Sequence, residues 1–313
     1  MELTAPVTNV FVSPHPDDAA LSCGGLIARL RARGEPVAIV TVYCGPGQLS
    51  VLTEYQREAL GFGAEPDTSA GSPPDSNIAD AQAPGVVPTP ERLMAVRRAE
   101  DESFARFAGA SIVFLNLPDA VFRGYEGDEQ LMGPPRPEDR APVNELRAAL
   151  AKLLPEGPER FEGRERLYLP LSIGGHVDHR LTRRAAMALL AEPGSPYRTA
   201  ARFYEDFPYA LTVGFERLDQ LDPEILPSLP ADSALAAEYV EIGDLIDRKL
   251  AGLRVYESQM GRLFGIGDNP VDAAVRSRAA RVGELGGVGP AERYWRLANS
   301  RSRGDVDRSV VTA

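Results

Sequence analysis

The sequence predicts an α/β fold built on an open, mostly parallel sheet. Residues 7–13 and 36–44 are short, continuous apolar runs, rich in β-branched residues, that are typical of buried strands. Between them, ALSCGGLIARLRARG has helical periodicity and reaches a plausible stop at Gly34. A strand, a helix and a strand of these lengths form a βαβ unit, in which a right-handed crossover joins parallel strands. We therefore expect a Rossmann-like sheet with helices on both faces.

The alternation of helices and strands continues to about residue 210. Residues 61–90 are rich in Gly, Pro, Ala, Ser and Asp, and predict a long loop. Helical periodicity then returns over 90–109, in VNELRAALAKLL, and after GGHVDHR as far as about Leu190. Further strands are predicted at 111–117, 166–172 and 201–210.

The pattern changes beyond residue 211. AEYVEI predicts a strand, GDLIDRKLAGLRVYESQMGRLF a single helix, and AERYWRL a final short element. We expect one domain over 1–295, in which an α/β core (1–210) carries a packed C-terminal α+β extension (211–295). Residues 296–313 have no periodicity and predict a flexible tail.

Composition excludes several classes of function. The 313 residues carry a formal net charge of −11, which argues against nucleic acid as a partner because phosphate backbones need basic patches. No apolar run approaches the ~20 residues that span a bilayer, and the N-terminus has no signal-peptide pattern. The 2 cysteines are too few for a disulfide framework. We expect a cytoplasmic enzyme with a small-molecule substrate. The sequence leaves open whether the chain forms a homo-oligomer.

The chain has 3 histidines, and all of them lie in two short motifs. His15, Asp17 and Asp18 follow the first predicted strand, and His176 and His179 follow the fourth. Ligands of open α/β sheets bind outside the carboxyl ends of the strands, so both motifs fall on one rim. Each residue alone is more often a helix cap or a structural hydrogen-bonding residue than a metal ligand. Together they favour a metal site with two histidines and one carboxylate, as in catalytic zinc centres.

The two motifs resemble those of the PIG-L/LmbE family of zinc-dependent deacetylases. SPHPDDAA matches the first motif of that family, and HVDH (176–179) matches its HxxH motif. Weaker similarity in RRAEDESFARFAGASIVFLNLPDA, FYEDFPYA and KLAGLRVYESQM extends the resemblance over most of residues 7–260. The resemblance implies an enzyme that hydrolyses a linear amide C–N bond, with Zn²⁺ as its cofactor and Fe²⁺ as an alternative.

Carried over position by position, the resemblance implies that His15, Asp18 and His179 bind the metal. Asp17 would be the general base that deprotonates the attacking water. This division agrees with turn geometry, because adjacent side chains point in different directions. One carboxylate can therefore bind the metal while its neighbour contacts the water.

Four further residues receive roles from the resemblance. His176 would stabilise the oxyanion and protonate the leaving amine, and Asp178 would orient the His176 ring. Arg97 and Asp119 match sugar-contacting positions, where an arginine donates to hydroxyls and an aspartate accepts from them. Arg97 is equally well explained as a helix-surface arginine paired with a neighbouring acid.

The implied reaction is removal of the acetyl group from an N-acetylglucosamine-type amino sugar on a larger aglycone. Two alternatives stay open: an amidase for a bulkier amide such as a thiol conjugate, and a metal-binding protein without catalysis. Ala19, where the family usually has Glu, is the one hint of the latter, but Asp17 and His176 are intact. Glu205 and Asp206 follow the fifth predicted strand and suit either the same rim or solvent.

Overall fold

The structure of the chain is a computed structural model. It describes residues 8–48, 52–60, 89–154, 165–265 and 269–299, and the backbone of 309–311. The loop predicted at 61–90 lies outside the described residues, except for its last two. Of these, Thr89 caps a helix and Pro90 begins it.

Within the described residues, the strands form one 8-stranded sheet in the order β3-β2-β1-β4-β5-β7-β6-β8. The strands from β3 to β5 are parallel, whereas β7 is antiparallel to both of its neighbours. The predicted open, mostly parallel sheet is confirmed. The strands are β1 Asn9–Ser13, β2 Val37–Thr41, β3 Ser111–Phe114, β4 Arg166–Pro170, β5 Ala201–Tyr204, β6 Ser233–Glu241, β7 Ala291–Asn299 and β8 Ser309–Val311.

Helices cover both faces of the sheet, as the sequence predicts. They are α1 Asp18–Ala32, α2 Glu54–Ala59, α3 Pro90–Ala108, α4 Asp128–Leu131, α5 Val143–Leu153, α6 Val177–Ala191, α7 Tyr197–Ala200, α8 Tyr209–Thr212, α9 Ile246–Leu253, α10 Glu257–Phe264 and α11 Pro270–Gly286. Because successive strand side chains point to opposite faces, Val10 and Val12 join the core formed with α5 and α6. Phe11 joins the core formed with α1, α3, α9 and α11. No helix in the described ranges combines the length and apolarity needed to cross a bilayer.

The C-terminal extension differs in detail from the prediction. The single helix expected over GDLIDRKLAGLRVYESQMGRLF is two helices, α9 and α10, because the chain turns at Tyr256. The Tyr256 ring is fully buried, and its hydroxyl donates to Asp101 at 2.6 Å. Sequence periodicity assigned no element to the segment that forms α11.

The predicted boundary of the tail at residue 295 lies inside β7. This strand continues to Asn299 because its residues pair in register with β6 as far as Ser233. Residues 309–311 form β8, which pairs with β6 in parallel.

The topology fixes where a ligand would bind. β1 and β4 are neighbours, and β2 and β3 continue the sheet on one side while β5 continues it on the other. The chain leaves β1 into α1, on one face, and leaves β4 into α6, on the opposite face. The order of the strands therefore reverses between β1 and β4, and open α/β sheets bind ligands at the carboxyl ends of such a pair.

Candidate metal centre and active site

His179 is held with one ring nitrogen free. It lies in the first turn of α6, and its Nδ1 lies 2.6 Å from Oδ1 of Asp206, the second residue after β5. Because Asp206 accepts from Nδ1, Nε2 is the ring nitrogen that is available to a metal. Nε2 is buried without a hydrogen-bond partner, 3.2 Å from Oδ2 of Asp18.

His15 repeats this arrangement from the opposite side. Its Nε2 lies 2.9 Å from Oδ2 of Asp178, and its Nδ1 lies 3.3 Å from the same Asp18 oxygen. The inner ring nitrogens of His15 and His179 thus face one carboxylate oxygen. A metal ion bound there would replace the protons that otherwise join the two rings to Asp18, and a carboxylate on the outer nitrogen of each histidine is typical of metal-binding histidines.

Neighbouring charged groups shift the pKa values of both His15 and Asp18. Burial alone would lower the pKa of His15, but Asp119, Asp178 and Asp18 outweigh it and raise this pKa to about 9. Burial opposes ionisation of Asp18, yet the adjacent His179 and His15 hold its pKa well below the usual range. The site thus stabilises positive charge beside a fixed carboxylate. Two imidazoles and a carboxylate are a donor set that binds a divalent transition metal.

His176 is the third imidazole of the cluster. Ligand atoms of His15, His176 and His179 all lie within 4.8 Å of one another. However, Nδ1 of His176 accepts the backbone N–H of Asp178 at 3.2 Å, because His176 is the N-cap of α6. The proton therefore lies on Nε2, and burial and the neighbouring His15 hold the pKa of His176 well below its usual range.

Asp17 has an unusual backbone, and its carboxylate faces Arg97 instead of capping its helix. It stands at the N-cap of α1 with φ 107° and ψ −33°, and its side chain makes no capping hydrogen bond. The carboxylate lines a pocket that His15, Asp18 and His176 also line. Its Oδ2 lies 3.4 Å from Nη2 of Arg97. Burial raises the pKa of Asp17 to about 8, against the lowering effect of Arg97.

The carboxylate of Asp178 hydrogen-bonds groups other than the His176 ring that the resemblance implies. Its carboxylate bonds His15, and it also accepts from Nη2 of Arg123 at 2.6 Å and from the backbone N–H of Ala120 at 3.0 Å. The expectation that the Asp178 side chain orients His176 is corrected: it orients His15. The reason is the helix start, where the backbone N–H of Asp178, not its carboxylate, faces the N-cap ring.

Arg97 and Asp119 lie together in the pocket. Arg97 is buried on α3, donates from Nη2 to the Pro16 carbonyl at 3.1 Å, and places Nη1 3.5 Å from Oδ2 of Asp119. The alternative of a helix-surface arginine is wrong, because the side chain points towards the carboxyl end of β1. Neighbouring acids on the same helix have other partners.

The remaining pocket wall was not evident from the sequence. Val121, Leu131 and Met132 give the pocket an apolar part, and residues of α10 also line it. Tyr209 packs edge-on against the His179 ring at 5.4 Å between centroids. The exposed Arg262 of α10 stands at the rim. The signals for these residues are weak, since nothing in the local sequence indicates that α8 and α10 reach this rim.

The two acidic residues that follow β5 have different partners. Asp206 reaches the site through His179, whereas Glu205 turns away and accepts from Arg278 at 2.6 Å and from Trp295 at 3.0 Å. Successive residues at a strand end point to opposite faces, which explains the division.

Ala19 is a buried apolar residue, 2% exposed, in the core around α1. Its backbone N–H donates to Oγ of Ser13 at 3.0 Å, and that hydroxyl donates to the His15 carbonyl at 2.7 Å. The turn is therefore braced by the backbone and Ser13, without a carboxylate at position 19.

Fold and site together are those of an α/β protein with a histidine–aspartate cluster that could hold a divalent metal. Comparisons with known proteins specify it further. The PIG-L family model, described as GlcNAc-PI de-N-acetylase, matches residues 10–190. The 2'-N-acetylparomamine deacetylase of Streptomyces fradiae is 30% identical over 252 residues, which cover 80% of this chain and 72% of that protein. The chain belongs to the PIG-L family, and it is a deacetylase.

Solved structures support the fold. The A40926 pseudoaglycone deacetylase is 22% identical with a TM-score of 0.65, over 95% of this chain and 99% of that one. The zinc inhibited form of teicoplanin deacetylase has a TM-score of 0.65 at 20% identity, over 94% and 99%. At these identities the likeness concerns the fold alone.

Proposed function

We propose that this chain is a zinc-dependent enzyme that removes the acetyl group from an N-acetylglucosamine-type amino sugar carried on a larger aglycone. The observation that carries the proposal is the pair of inner imidazole nitrogens, Nδ1 of His15 and Nε2 of His179, that face one oxygen of Asp18. The named activity of the Streptomyces fradiae relative, on 2'-N-acetylparomamine, supports an acetylated amino sugar as substrate.

In this proposal, His15, Asp18 and His179 hold the metal. Zinc in such a set lowers the pKa of water towards neutrality and polarises a carbonyl group. Asp178 and Asp206 fix the two imidazole rings by accepting from their outer nitrogens. Fe²⁺ is the alternative metal, and metal analysis decides between the two.

Asp17 then carries the proton from water to the leaving group, and His176 stabilises the oxyanion. Asp17 takes a proton from the attacking water, since its carboxylate is free of the helix cap and faces the pocket. His176 directs its Nε2 proton at the carbonyl oxygen as negative charge develops there. His176 keeps its one ring proton on Nε2 and remains the donor to the oxyanion, while Asp17 passes the proton that it took from water to the nitrogen of the leaving amine as the C–N bond breaks.

Arg97 and Asp119 bind the sugar hydroxyls beside the metal. The Arg97 guanidinium is held by the Pro16 carbonyl and by Asp17, so that it is oriented before substrate binds. The exposed Arg262 lies at the rim, where the aglycone leaves the pocket. The C-terminal extension, as part of a single domain over 1–295, supplies this wall.

The test is deacetylation of a panel of N-acetylglucosaminides, with and without a chelator, combined with metal analysis. We expect amine release that a chelator abolishes and that added Zn²⁺ restores. Cleavage of a bulkier amide in preference to the acetyl group would favour the amidase instead. Bound metal without any cleavage would leave a non-catalytic metal protein.

A further inference from the structure

The segment that joins β4 to His176 has an unusual backbone. Three of its residues have positive φ: Ser172 at 61°, Gly174 at 85° and Gly175 at 79°. Glycine adopts this region readily, but it also gives the chain its greatest conformational freedom. His176 follows directly as the N-cap of α6. The position of the His176 ring therefore depends on how firmly Gly175 is held.

Arg180, in the first turn of α6, holds the end of this segment. Its Nε donates to the Gly175 carbonyl at 2.7 Å. The guanidinium lies directly against the backbone, because a Cβ atom at residue 175 would be 2.7 Å from Nη2 of Arg180. The backbone N–H of Arg180 also donates to the His176 carbonyl at 3.0 Å. Arg180 thus fixes the two carbonyl groups on either side of the His176 Cα.

Two acidic residues of the C-terminal extension hold the Arg180 guanidinium. Nη2 lies 2.6 Å from a carboxylate oxygen of Asp222, and Nη1 lies 3.2 Å from a carboxylate oxygen of Glu224. The Arg180 side chain is 11% exposed, so water screens these ion pairs only in part. Because the guanidinium is planar and both terminal nitrogens are paired, Nε keeps a fixed direction towards Gly175.

We propose that Arg180 is a positioning residue for His176. By fixing the Gly175 carbonyl, it holds the backbone that carries His176 and directs the ring Nε2 at the oxygen of the substrate carbonyl. The proposal rests on the proposed role of His176 in stabilising the oxyanion. Such a donor must lie about 2.7–3.1 Å from the developing charge, so a small displacement of the ring lowers the rate. Metal binding is maintained, because Asp206 holds His179 independently.

Arg184 provides a matched control on the same helix. It lies one turn further along α6, and its Nη2 also pairs with Glu224, at 2.8 Å. Its side chain is more exposed, at 41%, and its hydrogen bond among the described residues goes to Glu224 and not to residues 171–175. Arg184→Met therefore measures the general cost of removing an arginine from these ion pairs.

The experiment compares Arg180→Met with Arg184→Met. Metal content, thermal unfolding, kcat and KM are measured on an N-acetylglucosaminide that the wild type cleaves. We expect Arg180→Met to keep its metal, to hold KM within about threefold and to lose about 10–100-fold in kcat. Arg184→Met should stay within about threefold of wild-type kcat. If Arg180→Met does not fold, Arg180→Lys, which keeps a cation but has no Nε–H, takes its place with the same pattern expected.

A double-mutant cycle tests whether Arg180 acts through His176. In the His176→Ala background, Arg180→Met should lower kcat by no more than about threefold, because the ring that Arg180 positions is absent. The proposal would be overturned by an equal loss in both backgrounds, by equal losses in Arg180→Met and Arg184→Met, or by loss of metal with Arg180→Met.

NMR of the histidine rings gives a readout independent of activity. The chain has 3 histidines, so labelling with ¹⁵N-histidine yields one set of ring-nitrogen signals for each, and His176→Ala identifies the His176 set by its absence. We expect Arg180→Met to shift or broaden the His176 signals and to leave those of His15 in place, whereas Arg184→Met changes neither. Unchanged His176 signals in Arg180→Met would refute the positioning role. If the wild type cleaves no N-acetyl sugar, the proposed function fails, while this test still stands on its own.

Discussion

Replacing Asp206 by asparagine removes the negative charge that fixes the His179 ring. In the wild type, Oδ1 accepts from His179 Nδ1 at 2.6 Å and Oδ2 accepts from the Ile173 N–H at 2.9 Å. Asparagine has one acceptor oxygen for these two donors. Its NH₂ group must face either the ring or the backbone N–H, so one donor loses its partner. Loss of such a carboxylate lowers metal affinity by about 10–100-fold, or about 1.4–2.8 kcal/mol.

A competition titration against a chromophoric chelator measures this loss. Glu205→Gln is the matched control, because Glu205 is the preceding residue, is similarly buried, and bonds Arg278 and Trp295 instead of the site. We expect Glu205→Gln to lower stability but to keep metal affinity within about threefold, since it touches no ligand. Unchanged affinity in Asp206→Asn, or an equal loss in Glu205→Gln, would refute the reasoning.

Three further predictions concern the residues at the starts of α1 and α6. Asp17→Asn should keep its metal and lose about 10²–10⁴-fold in turnover, and a wild-type rate would remove Asp17 as the base. His179→Ala should mainly lower metal affinity, whereas His176→Ala should mainly lower kcat; the reverse result in metal analysis and kinetics would exchange their roles. Ala19→Glu should lower the Tm, because overpacking this 2%-exposed site costs about 1–3 kcal/mol before the carboxylate is desolvated. An unchanged Tm in thermal unfolding would contradict the packing described for that position.

The site could be located from the sequence because its main parts are local. His15, Asp17 and Asp18 follow one buried strand directly, and the HxxH pair follows another. Since parallel strands end at the same edge, finding the two strands was enough to bring the motifs together. The same logic gave the sheet and the helices on both faces, because period-2 and period-3.6 patterns are also local.

The partners of those residues could not be predicted, because they depend on long-range packing. The Asp178 carboxylate bonds His15, 163 residues away in sequence, and no local pattern encodes that choice over His176. The sequence alone does not distinguish Asp206 from Glu205, because it does not show which of the two side chains points towards the site. The contact of Tyr256 with Asp101 depends on the break between α9 and α10, which the continuous helical periodicity of this segment conceals.

The central claim is that two histidines and Asp18 hold a divalent metal on which deacetylation depends. It is tested most directly by preparing the metal-free chain, measuring amine release from an N-acetylglucosaminide, and repeating the assay as Zn²⁺ is titrated back. We expect no turnover without metal, and recovery that saturates at one metal ion per chain. Full turnover in the metal-free chain would contradict it.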